Sequence, residues 1–352
     1  MRRLPIFFVI DISESMIGTP IKKVEEGMRT IIGELKRDPY ALETVHISII
    51  VFSSVAKTLL PLTDIIAFYP PELPIGSGTG YGEAIDHLRR EIELQVRKST
   101  PTEKGDWKPI VYFLTDGNPT DEYEPALKYW EQKYKNKTNI VVISLGDNAD
   151  QRLLNRISDN VLAFDDSDAE SYKAFFKWVT SSIKTQSQKV ETNPGDETMD
   201  LGGFDKAKLR KAGESASGQQ AAVDDRYAIF HGKCQKTHGE YLIKYVKGQE
   251  TTSFGGFSMP VRGYNLQGAY KLNKSYYEFS NNQYKIDQKI STEELKGFTS
   301  CPCCGNQFSL AICMCGNIFC LDGAGVHTCP WCKTQAQYGR GSGHIDINRR
   351  EG

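Results

Sequence analysis

Apolar runs and helical periodicities alternate over the first 187 residues. Leu4-Pro5-Ile6-Phe7-Phe8-Val9-Ile10, Val45–Phe52, the segment ending Ile110-Val111-Tyr112-Phe113-Leu114, and Ile140–Leu145 are almost continuously apolar, the pattern of strands buried on both faces. Ala56–Thr63 is read as a partner strand at an antiparallel edge, and Asn160–Phe164 as a shorter strand. Between them, Thr19-Pro20 supplies an N-cap and a first-turn proline, and Ile21, Val24, Met28, Ile31, Ile32 and Leu35 follow at helical spacing. A second helix is expected from Glu83 to Val96, with Ile85, Leu88 and Ile92 on one face, and a last one carries Tyr172, Phe175, Phe176, Val179 and Ile183. Strands alternating with helices predict an α/β fold with a doubly wound, mostly parallel sheet.

The pattern then breaks. Residues 188–222 are polar, small and aperiodic, the composition of a flexible linker, with at most a short basic helix over Phe204–Lys211. From 223 to 340 the texture is that of a smaller β-rich domain. Tyr227-Ala228-Ile229-Phe230 and Tyr241–Val246 read as strands around a turn; Gly268-Ala269-Tyr270 and Tyr276-Tyr277-Glu278-Phe279 read as further strand-like stretches. Residues 341–352 form a tail.

Composition narrows the choices. A chain of 352 residues with 39% hydrophobic content supports two or three domains with real cores. The formal net charge of -1 exerts no global pull towards nucleic acid or anionic lipid. Between 226 and 300, however, 11 Lys or Arg face 6 Asp or Glu among aromatics, which keeps a nucleic-acid surface open as an alternative to a basic rim on a β domain. No apolar run approaches the ~20 residues of a membrane span. Met1-Arg2-Arg3 and the following apolar run imitate a secretion signal, but Asp11 interrupts it and no small-residue cleavage site follows. The expected compartment is cytoplasmic.

Asp11-Ile12-Ser13-Glu14-Ser15 emerges directly from the first strand, and hard cations such as Mg²⁺ take oxygen ligands of this kind. Gly76-Ser77-Gly78-Thr79-Gly80 forms a turn, read as exposed, ahead of the second helix and offers the Thr79 hydroxyl; Thr115-Asp116-Gly117 ends another buried strand. With these three elements in this order, the chain resembles the von Willebrand factor A domain with its metal-ion-dependent adhesion site. The resemblance implies that Ser13, Ser15 and Thr79 contact the metal, that Asp11 and Asp116 bind directly or through water, and that a vacant position accepts an acidic residue of a partner. Glu14 and Asp121, the nearby spare carboxylates, are read as solvated.

No cysteine precedes Cys234, and eight of nine lie between Cys301 and Cys332. Closely spaced Cys-x-x-Cys pairs in a chain without a secretion signal favour Zn²⁺ over disulfides. A zinc ribbon would use Cys301, Cys304, Cys329 and Cys332, leaving Cys313, Cys315, Cys320 and His327 as a second set. A cross-braced pair, Cys301/Cys304 with Cys320/His327 and Cys313/Cys315 with Cys329/Cys332, fits the spacing equally well. Cys303 is read as a spare thiol and Cys234 as a buried thiol, with Cys234-x3-His238 as a possible pair.

An A domain followed by Cys301-Pro302-Cys303-Cys304-Gly305, Cys313-Met314-Cys315-Gly316-Asn317-Ile318-Phe319-Cys320 and Cys329-Pro330-Trp331-Cys332 resembles the TerY-type proteins of bacterial tellurite-resistance and stress operons. That resemblance implies a cytoplasmic adaptor working with a protein kinase and a metal-dependent protein phosphatase.

Three function classes compete: a non-enzymatic interaction module, a metal-dependent phosphohydrolase, and a nucleic-acid-binding zinc protein. The A-domain motif offers no nucleophile–base pair and lacks the second aspartate of Asp-x-Asp phosphotransferases, which favours the first. The glycine turn fails as a nucleotide loop: a G-x-G-x-x-G frame begun at Gly76 or Gly78 ends on Tyr81 or Glu83, and no Gly-Lys-Ser/Thr follows.

Overall fold

The computed structural model describes residues 2–145, 149–164, 169–192, 209–211, 226–248, 251–254, 257–260, 263–281, 289–339 and 345–349. It divides into two compact units, residues 1–222 and 223–352.

In the first unit the apolar runs become β1 (Leu4–Asp11), β2 (Val45–Phe52), β3 (Ala56–Asp64), β4 (Ile110–Thr115), β5 (Asn139–Leu145), β6 (Val161–Phe164) and β7 (Leu209–Lys211), one sheet of order β3-β2-β1-β4-β5-β6-β7. The strands β2, β1, β4, β5 and β6 are parallel, and β3 and β7 close the edges antiparallel. Every residue of β1 and β4 is buried, as the uninterrupted apolar pattern requires.

The helices are α1 (Thr19–Leu35), α2 (Pro39–Thr44), α3 (Tyr81–Gln95), α4 (Glu124–Lys133), α5 (Gln151–Ile157) and α6 (Ala169–Thr192). Alternate residues of the strands face opposite layers. Phe7, Val9, Val111 and Phe113 pack with Ile85 and Leu88 of α3, Leu127 and Trp130 of α4, and Leu153 and Leu154 of α5. On the other face Tyr112 meets Trp178 of α6 edge to face at 6.3 Å. The hydrophobic pattern does not announce α4 or α5: α4 buries only Leu127 and Trp130, and α5 begins on an Asp150 cap that accepts from the Arg152 and Leu153 amides.

Two expectations change here. The segment Phe204–Lys211 contributes a strand, since Leu209–Lys211 pair antiparallel with β6, while residues 193–208 and 212–225 lie outside the described residues. The last helix also runs to Thr192, past the expected end of the domain.

In the second unit β8 (Tyr227–Lys233), β9 (Glu240–Lys247), β12 (Tyr264–Lys271), β14 (Leu295–Lys296), β15 (Phe308–Ile312) and β16 (Ile318–Leu321) form a sheet of order β14-β12-β9-β8-β16-β15. Smaller antiparallel pairs are β10 (Thr251–Phe254) with β11 (Phe257–Pro260), β13 (Lys289–Ser291) with β19 (Asp346–Asn348), and β17 (Gly325–Thr328) with β18 (Gln335–Tyr338). The expected tail thus contains a paired strand, β19. Tyr276–Phe279 is not strand-like: Ser275–Glu278 form one helical turn, α7, which buries Tyr276 and Phe279 together and leaves Tyr277 exposed. Positions three apart share a side of a helical turn, whereas in a strand they would point to opposite faces.

Candidate metal centres

The sheet order reverses at β1: the chain proceeds from β1 to β2 on one side and reaches β4 on the other. Such a switch point opens a crevice at the carboxyl ends of the strands. Asp11 ends β1, and Asp116 follows β4 by one residue. Parallel pairing of β1 with β4 therefore brings the two carboxylates, distant in sequence, to one place.

Side chains complete the cradle. Asp11 Oδ1 accepts the Ser13 amide at 2.9 Å, the Ser13 and Ser15 hydroxyls lie 2.8 Å apart, and Ser15 donates to Asp116 Oδ1 at 2.7 Å. A single 3-10 turn over Glu14–Met16 directs both serines inward. Thr79, in the turn ahead of α3, is fully buried, which corrects its expected placement on an exposed turn. Its Oγ1 has no hydrogen-bond partner. A buried hydroxyl without a partner costs roughly 1–3 kcal/mol, and a cation bound beside it would offset that cost. The Ser13 and Ser15 hydroxyls and the Asp11 and Asp116 carboxylates are the hard oxygen donors that suit Mg²⁺.

Burial pushes the Asp11 carboxyl up to about 6, against the opposing hydrogen bonds from Ser13 and Thr115. A divalent ion would supply the positive charge that favours its ionised form. Motif spacing missed two supporting residues. Thr115 donates to Asp11 Oδ2 at 2.7 Å, and the buried Tyr81 lies 3.0 Å from the Thr115 hydroxyl while donating to Gly117 O at 2.7 Å. Thr115 precedes Asp116, so its position was a usable signal; Tyr81 offered none beyond following Gly80.

The spare carboxylates are not solvated as expected. Glu14 is fully buried, and Asp121 accepts the Tyr81 and Gly82 amides at 3.1 and 2.8 Å, which explains its retention in a partly buried position.

The thiols form two groups, Cys234/Cys301/Cys304/Cys320 and Cys313/Cys315/Cys329/Cys332, each with sulfurs within 4.8 Å of one another. Cys304–Cys320, Cys320–Cys234, Cys313–Cys332 and Cys315–Cys329 are separated by 3.7, 3.9, 3.6 and 3.9 Å. Disulfides would bring sulfurs to ~2.05 Å, whereas Zn–S bonds of ~2.3 Å place tetrahedral thiolates ~3.8 Å apart. The residues fit tetrahedral zinc.

The grouping interleaves along the chain, like the cross-braced alternative and unlike the single ribbon, but Cys234 stands where His327 was expected. Among the described residues His327 and His238 belong to neither group; His327 Nε2 lies 3.0 Å from Gly323 O. Local backbone explains Cys234. Cys301 and Cys329 each donate their amide five residues on, to Asn306 O and Thr334 O, and accept from the amide four residues on, Gly305 and Lys333. Cys234 does the same with Gly239 O and the His238 amide. Gly305, Lys333 and His238 all adopt positive φ, at 78°, 64° and 58°. Cys234 thus occupies a knuckle in which Thr237 replaces the second cysteine, and the Thr237 amide donates to Cys234 Sγ at 3.3 Å. The missed signal was a lone cysteine followed by a tight turn ending in Gly239.

Amides and side-chain amides surround the sulfurs: Gln235 N and Asn306 Nδ2 reach Cys320 Sγ at 3.3 and 3.6 Å, and Asn317 Nδ2 reaches Cys315 Sγ at 3.5 Å. Burial raises the Cys320 thiol and pushes Cys329 up to about 12, while the Thr334 hydroxyl and amide lower Cys332 to about 6.

A doubly wound sheet with hydroxyls and carboxylates at its switch point defines an A-type domain, and residues 6–178 match the von Willebrand factor type A domain. Residues 224–352 match the TerY-C metal binding domain, so the chain joins an A domain to a TerY-C domain. The chain is 26% identical over 160 residues to "Inter-alpha-trypsin inhibitor heavy chain H2" of Mesocricetus auratus, a match covering 44% of this chain and 17% of that protein. Among solved structures it is similar to "von Willebrand factor type A from Catenulispora acidiphila" (16% identity, 52% of this chain and 43% of that one, TM-score 0.39). It is also similar to proximal thread matrix protein 1 from the mussel byssus "with zinc occupied MIDAS motif" (19% identity, 53% and 46% covered, TM-score 0.36). The chain thus spans less than half the length of each of these three proteins. Among the described residues no helix is long and apolar enough to cross a membrane.

Proposed function

We propose that the chain is a non-enzymatic, metal-dependent adaptor. Its A domain holds one divalent cation, Mg²⁺, through Ser13, Ser15 and Thr79, with Asp11 and Asp116 bound directly or through water. An acidic side chain of a protein partner takes the remaining position. The unpartnered, buried Thr79 hydroxyl carries this reading. With only two carboxylates in the cradle, the cation keeps enough positive charge to attract a third from outside. Ser13 stands where an Asp-x-Asp phosphotransferase has its second aspartate, which supports an interaction role over phosphoryl transfer. The thiol groups hold one Zn²⁺ each and build the C-terminal unit, since metal-binding free energy is folding free energy in such domains. The TerY-type resemblance suggests a cytoplasmic role in a bacterial stress or tellurite-resistance system, with a protein kinase and a metal-dependent protein phosphatase as partners.

The test is capture of partners from the native host by the wild-type chain and by Thr79→Ala, each with Mg²⁺ or with chelator. Partner recovery should need both Mg²⁺ and Thr79. Equal recovery under all four conditions would move the docking surface away from the cradle, and phosphoester turnover that disappears in Asp116→Ala would make the chain an enzyme.

A further inference from the structure

The loop after β4 does more than present Asp116. Thr120 and Thr79 are bonded in both directions: the Thr79 amide donates to Thr120 Oγ1 at 2.9 Å, and the Thr120 amide donates to Thr79 O at 2.8 Å. The next residue, Asp121, accepts the amides of Tyr81, Gly82 and Glu83 at 3.1, 2.8 and 3.2 Å. Those are the opening amides of α3, whose own N-cap position is Gly80, with no side chain to cap them. The helix is therefore capped from another loop. The negative carboxylate at the positive end of the helix adds a favourable charge–dipole interaction.

The fit is close on the glycine side as well. A Cβ at Gly78, where φ is +73°, would lie 3.0 Å from Thr120 Oγ1, and one at Gly82 would lie 2.9 Å from Asp121 Oδ2. The Gly80 amide, between them, donates to Ser53 O. Gly78 in the turn and Gly82 in the first turn of α3 are thus positions where the clamp crowds any side chain.

We infer that Thr120 and Asp121 are positioning residues for the A-domain metal: they touch no cation, but they set where the Thr79 hydroxyl stands relative to Asp116 of their own loop. The inference rests on the proposed metal reading and adds the residues that make it geometrically exact enough to work. Outer-shell partners of this kind typically carry 10- to 100-fold of metal affinity.

The test is Mn²⁺ titrated into the full chain, followed by electron paramagnetic resonance well below the unfolding temperature, with Mg²⁺ as competitor. Thr120→Val should weaken Mn²⁺ binding roughly tenfold or more, and Thr120→Ser, which keeps the acceptor oxygen, should restore it. Asp121→Asn, which keeps the shape but turns one acceptor into a donor, should also weaken binding. Thermal unfolding in chelator separates a purely structural role, which would lower the transition temperature and leave the affinity of the folded chain unchanged. Wild-type affinity in folded Thr120→Val and Asp121→Asn, or equal losses in Thr120→Val and Thr120→Ser, would overturn the inference while leaving the metal reading intact. A wild-type chain that binds no Mn²⁺ or Mg²⁺ overturns the metal reading itself.

Discussion

Thr115 Oγ1 donates to Asp11 Oδ2 at 2.7 Å, tying the last residue of β4 to the last residue of β1 across 104 positions of sequence. The bond orients one carboxylate of the cradle from the strand that presents the other. It also holds that carboxylate in a buried site, where a bound cation would favour its ionised form.

The first prediction concerns pH. The Asp11 carboxyl stands at about 6 in the folded chain against an ordinary 3.8. Between those values the unfolded chain is ionised while the metal-free fold still holds the proton, so this group makes the fold lose stability as pH rises through the window. A bound cation favours the ionised form. Mg²⁺ should therefore raise the A-domain unfolding temperature most above about pH 6, and progressively less towards pH 4. Thermal unfolding with Mg²⁺ or chelator across that range measures it; a pH-independent increment would contradict the account. Thr79→Ala should abolish the increment while leaving the metal-free fold as stable or more so, because it deletes a buried hydroxyl without a partner.

Cys234→Ser should lower bound zinc from two ions per chain to one, whereas His327→Ala should leave two. Elemental analysis of the purified variants decides this, and the reverse result would restore His327 as the ligand. Cys301→Ser combined with Cys304→Ser, or a strong chelator, should unfold the C-terminal unit and leave the A domain folded, which domain-resolved hydrogen exchange can follow.

A Cβ at Gly27 in α1 would lie 2.0 Å from the ring of Phe176 in α6. Gly27→Ala should therefore destabilise the A domain by about 1–3 kcal/mol despite the better helix propensity of alanine. Denaturant unfolding would measure the loss, and Gly27→Ala with Phe176→Leu should recover part of it.

Glu240 pairs with His231 at 2.7 Å and Lys233 at 3.6 Å, and the hydrogen bond with His231 brings its carboxyl down to about 2. A depressed carboxylate stabilises the fold above its ordinary value of 4.5 and loses that contribution as pH falls towards 2. Glu240→Gln should destabilise the C-terminal unit at neutral pH and flatten its acid-unfolding profile over that interval. Parallel acid titrations of the two proteins, read by circular dichroism, provide the check.

Much of this architecture is legible in the chain. The apolar runs that became β1, β2, β4 and β5 are strands buried on both faces, and such strands cannot be written with any other pattern. Asp11, Ser13, Ser15, Thr79 and Asp116 stand in fixed order beside those runs, and the resemblance to the von Willebrand factor A domain that this order carries is what nominates them. The close cysteine pairs are legible on spacing, because a knuckle is a local turn. Tertiary structure decided what depends on distant contacts. The pairing of β1 with β4 brings Asp11 to Thr115, and the loop after β4 turns Thr120 and Asp121 back onto Thr79 and α3. Residues 209–211 gain strand structure from the open edge of β6, not from their own composition. Cys234 lacks a ligand signature in the sequence because its knuckle has one thiol, and the pairing of β8 with β16 carries it to Cys320. A local pattern records what a residue does for its neighbours in the chain; partners brought together by sheet order leave no such record.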